Sequence, residues 1–133
     1  MRRGAVAVII EQGRWLAIRR SWEVSAPGKV CFPGGGMEPN ETEAETVVRE
    51  LREELNLSVR PLQRLWENVT PWKVHLAWWL AERIDDEPPR PLPAEVAEVF
   101  WLSAAEMTAH PDLLPSNLAF FEALERGEIV LPQ

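Results

Sequence analysis

Phe32 to Leu57 reads FPGGGMEPNETEAETVVRELREELNL. Three glycines in a row give way to a helix-forming segment crowded with glutamate. Both ends of that helix are written into it. Thr42 with Glu45 three residues on is a capping-box pattern, and Glu41 and Glu43 suit the positive end of the helix dipole. Asn56 ends it, because asparagine accepts the left-handed conformation of a helix C-terminus. On a wheel at about 100° per residue, Ala44, Val47, Val48, Leu51 and Leu55 form a stripe that faces a core. Glu50, Glu53 and Glu54 fall with Glu43 on one flank. Arg49 and Arg52 fall on the other, where Glu45 is spaced to pair with Arg49.

The acidic flank is a cost without a partner. Glu50 with Glu54 (i,i+4) and with Glu53 (i,i+3) are like-charge pairs, each worth about 0.2–0.5 kcal/mol of helix stability. A divalent cation among them removes that cost, and hard oxygen ligands are what Mg²⁺ takes. Glutamate-rich helix faces are more often simply solvated, so the cluster alone does not decide. The GGG turn shifts the balance. It lacks the Lys-Ser/Thr of a P-loop and the spacing of a dinucleotide fingerprint. Its glycines instead let backbone come close to a metal or a diphosphate.

Working outward, GAVAVII (Gly4 to Ile10) is apolar on both faces, as a central strand is. After the EQG turn, RWLAIRR (Arg14 to Arg20) alternates as its hairpin partner. SWEVSAPGK reads as a loop before a short VCF strand. Two further strands are expected within Val59–Val69 and Trp72–Glu82, the second with Trp72, Val74, Leu76, Trp78 and Leu80 on one face. DDEPPRPLP is a loop, EVFWL a last strand, Ser103 opens a second capping box, and a helix runs from Ser116 to a stop at Gly127. The pattern is an α/β or α+β sandwich, a single domain over residues 1–133.

Composition bounds the function. A net charge of −7 argues against a broad grip on nucleic acid, whose affinity comes from Lys and Arg on phosphates. No apolar run reaches the roughly 20 residues that cross a bilayer, and MRRGAVAVII is too short for a secretory signal. One cysteine, Cys31, forms no internal disulfide, so a reducing cytoplasm is the expected setting and Cys31 a small core residue. Seven tryptophans without a tyrosine suggest packed sheet residues, with one or two free to stack on a base.

Gly35, five residues, Glu41, seven residues, then Arg49-Glu50-Leu51-Arg52-Glu53-Glu54-Leu55-Asn56-Leu57 is similar to the Nudix box, G-x5-E-x7-R-E-U-x-E-E-x-G-U. Asn56 replaces the usual Gly, and Asn40 stands where a Gly often precedes the first box glutamate. PGKVCFPGG before the box, and a Glu-rich lead into a Trp-bearing strand near residue 100, fit as well. The resemblance implies an α/β/α sandwich with a mixed sheet, and hydrolysis of a nucleoside diphosphate linked to another group. It implies that Glu50, Glu53 and Glu54 bind Mg²⁺ or Mn²⁺ with a backbone carbonyl from the glycine turn, Gly35 foremost. Arg49 would orient the glutamates, and Glu41 would be a structural partner fixing loop to helix. Glu50 or Glu53 would take a proton from water. Glu95 or Glu98 would do so in members that use a later loop, ordinary strand-edge charge being the alternative role for both.

Weaker candidates complete the set. Arg19 and Arg20 lie at a strand end within reach of a phosphate, or else solubilise it. Trp79, on the less apolar face of its strand, is the aromatic for base stacking, with packing under a helix as the alternative. His75 is expected exposed. The downstream tyrosine of dinucleoside-polyphosphate hydrolases and the SQPWPFP-type signature of NADH-cleaving members are absent. Pro71 lies near the proline of ADP-ribose hydrolases, though the extra N-terminal sheet common in those enzymes is not seen. LAIRRS followed by GKVCFPGG resembles coenzyme A diphosphatases, with their intervening arginine replaced. The preferred expectation is a housecleaning enzyme that takes nucleoside triphosphates or modified nucleotides to monophosphate and pyrophosphate. ADP-ribose, nucleotide-sugar or coenzyme A hydrolysis, and a nucleotide-binding or regulatory module without catalysis, are the alternatives. A small nucleotide is the expected partner, with no extended nucleic acid and no membrane; a homodimer is compatible.

Overall fold

The computed structural model describes residues 1–132. The elements in chain order are β1 (Arg2–Val8), β2 (Ile10–Glu11), β3 (Arg14–Arg20), β4 (Val30–Cys31), β5 (Gly34–Gly36), α1 (Glu43–Leu55), β6 (Val59–Val69), β7 (Val74–Arg83), β8 (Val96–Leu102), α2 (Ala104–Thr108) and α3 (Pro115–Glu125). A mixed sheet runs β5-β1-β7-β6, with β1 and β7 parallel and the outer pairs antiparallel. In a second, antiparallel sheet β3 pairs β8 along its length and β2 then β4 in succession.

From Gly4 onward β1 carries no polar side chain, because it is covered on both faces there. Ala5, Ala7 and the following Ile9 join a core with Val47, Leu51 and Leu55 of α1. Val6 and Val8 point the other way, into an aromatic core with Trp15, Phe32, Trp78 and Phe120 and Phe121 of α3. In that core Trp78 stacks on Phe120 with ring centroids 5.1 Å apart. Helix, sheet and helix thus form three layers, the expected α/β/α sandwich. Among the described residues no helix is long and apolar enough to cross a membrane.

The local signals hold at the ends of α1. Thr42 accepts from the Glu45 backbone N–H while the Glu45 carboxylate accepts from the Thr42 N–H, and Asn56 closes the helix at φ 54°, ψ 36°. Asn40, the second asparagine at a position where glycine is usual, also has positive φ, 65°. Both replacements are thus by the residue that best tolerates left-handed backbone after glycine. The second capping box, at Ser103, also forms. Helix α3 starts one residue before Ser116, with Pro115 in its first turn.

Four expectations needed correcting. Arg14–Arg20 is not the partner of the long apolar strand: β1 pairs β5 and β7 in the mixed sheet, while β3 turns back only on the short β2 in the other sheet. The glycine turn is in fact a strand: Gly34, Gly35 and Gly36 pair with Val6, Ala5 and Gly4. Trp72 does not join the face of β7. The Thr70–Lys73 turn, with Lys73 at φ 62°, holds it outside the sheet and 68% exposed. The buried stripe of α1 is Thr46, Val47, Leu51, Glu54 and Leu55, and Val48 is exposed. The helix is therefore turned so that one of its glutamates, not Val48, faces inward.

Candidate active site

That inward glutamate organises the site. Glu54 is 5% exposed, and its Oε1 accepts from the Gly34 N–H at 3.0 Å. Burial pushes its carboxyl up to about 8, and the charge of Glu50 adds to the rise. Glu50 packs over the glycine strand so closely that a Cβ on Gly35 would overlap its carboxylate. Burial raises Glu50 too, opposed by Arg49. Gly35 is therefore glycine for space. Gly35→Ala is expected to lower kcat by about 10–100-fold, the size of effect seen when groups supporting a metal or reacting site are disturbed. Steady-state kinetics at saturating substrate would show it.

The third carboxylate comes from far along the chain. The proline-rich loop after β7 docks on the C-terminal end of α1, where the last helical carbonyls lack intrahelical partners. The Arg90 N–H donates to Leu55 O and the Leu92 N–H to Glu54 O, both at 2.8 Å. Glu95 follows at once, its own carbonyl held by the Ser21 N–H at 3.0 Å. One carboxylate oxygen from each of Glu50, Glu54 and Glu95 lies within 4.8 Å of the others. This set fits a hard divalent cation: all donors are carboxylate oxygens, and the most buried of them is costly to ionise without a counter-charge.

Arg49 is where the wheel placed charges wrongly. It does not pair with Glu45, whose carboxylate is occupied by the capping box. It sits among the acids instead, donating to both oxygens of Glu41 (2.7 and 2.9 Å), to Glu50 Oε1 (3.0 Å), to Glu53 (3.2 Å) and to the Gly36 carbonyl (2.8 Å). Glu41 also accepts from Thr46 Oγ1 and the Glu38 N–H. The Arg49 guanidinium, then these bonds, hold its carboxyl down at about 2. One guanidinium thereby ties the glycine strand, the loop and two glutamates of the helix together. Glu53 stays at the rim, about half exposed, and does not join the group of three.

Beside the glycine strand opens a cleft of about 390 Å³ lined by Gly4, Val6, Phe32, Leu76, Asn117 and the three glycines. It continues past Arg2 and Arg20 into a second hollow of about 550 Å³ bordered by Ser25, Thr70 and Trp72. Arg20 is braced there by the Ser25 carbonyl (2.6 Å) and hydroxyl (2.9 Å). Asn117, 3% exposed, accepts from the Phe32 N–H at 2.9 Å, and its amide NH₂ makes one long bond, 3.3 Å, to Ser116. Nothing in the sequence sets Asn117 apart from any polar residue in a first helical turn.

The remaining candidates lie elsewhere. Trp79 packs against the α1 core and donates to Glu43 at 2.9 Å, away from the cleft, because the more exposed-looking face of β7 is the one α1 covers. Arg19 neither solubilises nor faces a phosphate: it bonds Glu98 (2.8 Å), Asp112 (2.9 Å) and the Gly28 carbonyl (2.8 Å). Glu98 is consumed by that pair. His75 is largely buried and bonds Glu67 at 2.8 Å. Cys31 is buried, its thiol pushed up to about 11 by desolvation, so it is an inert thiol at neutral pH.

A family model described as the NUDIX domain matches residues 1–124. The 8-oxo-dGTP diphosphatase of Escherichia coli (strain K12) is 30% identical over 128 residues, 92% of this chain and 95% of that protein. The CTP pyrophosphohydrolase of the same organism is 30% identical over 122 residues, 89% of this chain and 87% of that one. Among solved structures, the MutT protein from Methanosarcina mazei Go1 superposes with a TM-score of 0.79 at 25% identity, covering 95% of this chain and 94% of that one. With the box running from Gly35 to Leu57 and departing only at Asn56, and the match running through nearly the whole fold, this chain belongs to the Nudix hydrolase family.

Proposed function

We propose that this Nudix pyrophosphohydrolase cleaves a nucleoside triphosphate or modified nucleotide to the monophosphate and pyrophosphate, with Mg²⁺ or Mn²⁺. The observation that carries the reading is the convergence of Glu50, Glu54 and Glu95 on one side of a glycine strand whose other border is a cleft. These three carboxylates, with the Gly35 carbonyl as a further oxygen donor, would hold the cation. When bound, it supplies charge neutralisation of the diphosphate and makes a nearby water more acidic. Arg20 binds and orients phosphate from the cleft mouth. Arg49 holds Glu50 through Oε1, leaving Oε2 to take the proton of the attacking water. The water oxygen bonds to one phosphorus of the α–β bridge, the bridging P–O bond breaks, and the products are the monophosphate and pyrophosphate. Glu53, at the rim beside Arg49, would be an oxygen ligand for a cation carried in on the substrate's phosphates. The two relatives' names and the coverage of their full length support a free nucleotide as substrate. A lone, buried thiol suits the reducing cytoplasm.

A screen of nucleoside triphosphates, oxidised nucleotides, ADP-ribose, NADH and coenzyme A, each with Mg²⁺ and with Mn²⁺, tests the reading. The expected result is metal-dependent pyrophosphate release from a triphosphate, lost in Glu54→Gln. Turnover confined to ADP-ribose, NADH or coenzyme A, or none at all, would overturn it.

Trp72 takes over the stacking role first given to Trp79. It borders the outer hollow with its ring exposed, and stacking of a base on an aromatic ring is worth about 1–3 kcal/mol. Trp72→Ala is expected to raise KM about 5–100-fold with kcat changed less than about threefold, which initial-rate kinetics would separate.

A further inference from the structure

The strap that brings in Glu95 is built on alternating prolines. Pro89, Pro91 and Pro93 have a fixed φ and no N–H, so between them only Arg90 and Leu92 can donate from the backbone. Both do so to the end of α1, at Leu55 O and Glu54 O. The Leu92 carbonyl then accepts from the N–H groups of Glu95 (2.9 Å) and Val96 (2.8 Å), so the turn presenting Glu95 starts at an anchored residue. A side-chain clasp is added one step upstream. With its amide oxygen turned toward Arg90, Asn56 accepts from Nε at 3.2 Å and Nη2 at 2.5 Å. The reverse orientation would set an NH₂ against a guanidinium, which has no acceptor. The left-handed backbone at residue 56 is served as well by glycine, which the box usually has there. What asparagine adds is this lateral hold on the strap.

We infer that Asn56 and Arg90 are positioning residues for Glu95, clasping the proline strap to α1 so that its carboxylate stays beside those of Glu50 and Glu54. The inference rests on the reading of these three carboxylates as a cation site. The strap is exposed over most of its length, Leu92 itself 45%, so polar bonds rather than apolar packing hold it. Arg90 is held twice, by its N–H and by its guanidinium, which fixes the rotation of the strap as well as its position. The prolines that follow leave few free dihedrals to absorb a displacement before Glu95. Without the clasp the strap tilts about its backbone bonds and the Glu95 carboxylate spreads over more positions. Part of the binding energy of a cation then goes into ordering it.

The test is Mn²⁺ binding followed by EPR, with no nucleotide present. Asn56→Gly keeps the left-handed backbone and the net charge and removes only the clasp. It is expected to weaken Mn²⁺ about tenfold, the lower end of the loss seen when groups supporting metal ligands are removed. Arg90→Ala is expected to weaken it similarly, although loss of a positive charge by itself favours a cation. The double variant should fall no more than about twofold below either single, because the pair acts as one unit. In a Glu95→Gln background, Asn56→Gly should change the affinity less than about twofold. That comparison isolates positioning, since a looser helix end or a less stable fold would weaken Mn²⁺ in both backgrounds alike. Unchanged affinity in either single variant, additive losses in the double, or a full loss persisting in Glu95→Gln overturns the inference and leaves the metal site standing. A wild type that does not bind Mn²⁺, or a Glu95→Gln that binds it as wild type does, sinks the three-carboxylate reading and the inference with it. Should one single variant fail to fold, the other decides through the same Glu95→Gln comparison.

Discussion

Glu54→Gln is expected to lower kcat by about 10²–10⁴-fold while making the metal-free protein more stable than wild type. The activity loss follows if Glu54 is a charged ligand at the reacting centre, because the amide removes its negative charge and one of its two donor oxygens. The stability gain has a separate cause. Glu54 lies in the buried stripe of α1, beside the carboxylates of Glu50 and Glu95, and its ionised form is disfavoured there. Glutamine is nearly isosteric, keeps an oxygen to accept from the Gly34 N–H, and carries no charge. A variant that loses activity and also melts lower in EDTA at pH 8 would contradict the idea that this carboxylate is held at a folding cost.

The second large effect is on stability as pH rises in the metal-free wild type. Glu54 has an ordinary value of 4.5 and stands at about 8 in the fold. Below pH 4.5 it is protonated in both states and contributes no difference. Between 4.5 and 8 the folded protein keeps a proton that the unfolded chain has released, so stability falls steadily as pH rises. At about 1.4 kcal/mol per pKa unit the loss over that window is on the order of 4 kcal/mol. Glu50, raised in the same direction, adds to it. For a domain of this size the melting temperature should drop by roughly 10 °C between pH 5 and pH 8 in EDTA. Mn²⁺ at pH 8 should restore it, because a ligand that binds only the folded state stabilises that state. A flat profile in EDTA, or a slope that Glu54→Gln does not flatten, would count against the charge picture.

Much of the site was legible because the signals were local. Capping at Thr42 and Asn56 depends on residues within one helical turn, and both ends formed where the sequence placed them. The box spacing names Glu41, Arg49, Glu50 and Glu54 without knowledge of where the core lies. Rotation of the helix could not be read that way. A stripe through Val48 and one through Glu54 both carry Val47, Leu51 and Leu55, and hydrophobicity favours the valine. The sheet chose the other, because Gly34 offers an N–H that Glu54 can accept from. The same rotation moved Arg49 from the far flank into the midst of the acids.

By itself the sequence determined the family, the three-layer order of strands and helices, the ends of the glutamate helix and the residues crowded on it. All of these rest on neighbours a few residues apart or on a motif of fixed spacing. Only the tertiary structure decided which carboxylates meet. Glu95 reaches Glu50 and Glu54 because the proline-rich loop satisfies the open carbonyls at the end of α1. The cleft and the place of Asn117 beside it likewise exist only once β1, β7 and α3 are packed. Packing sets the space between side chains distant in sequence, and no local pattern records that space.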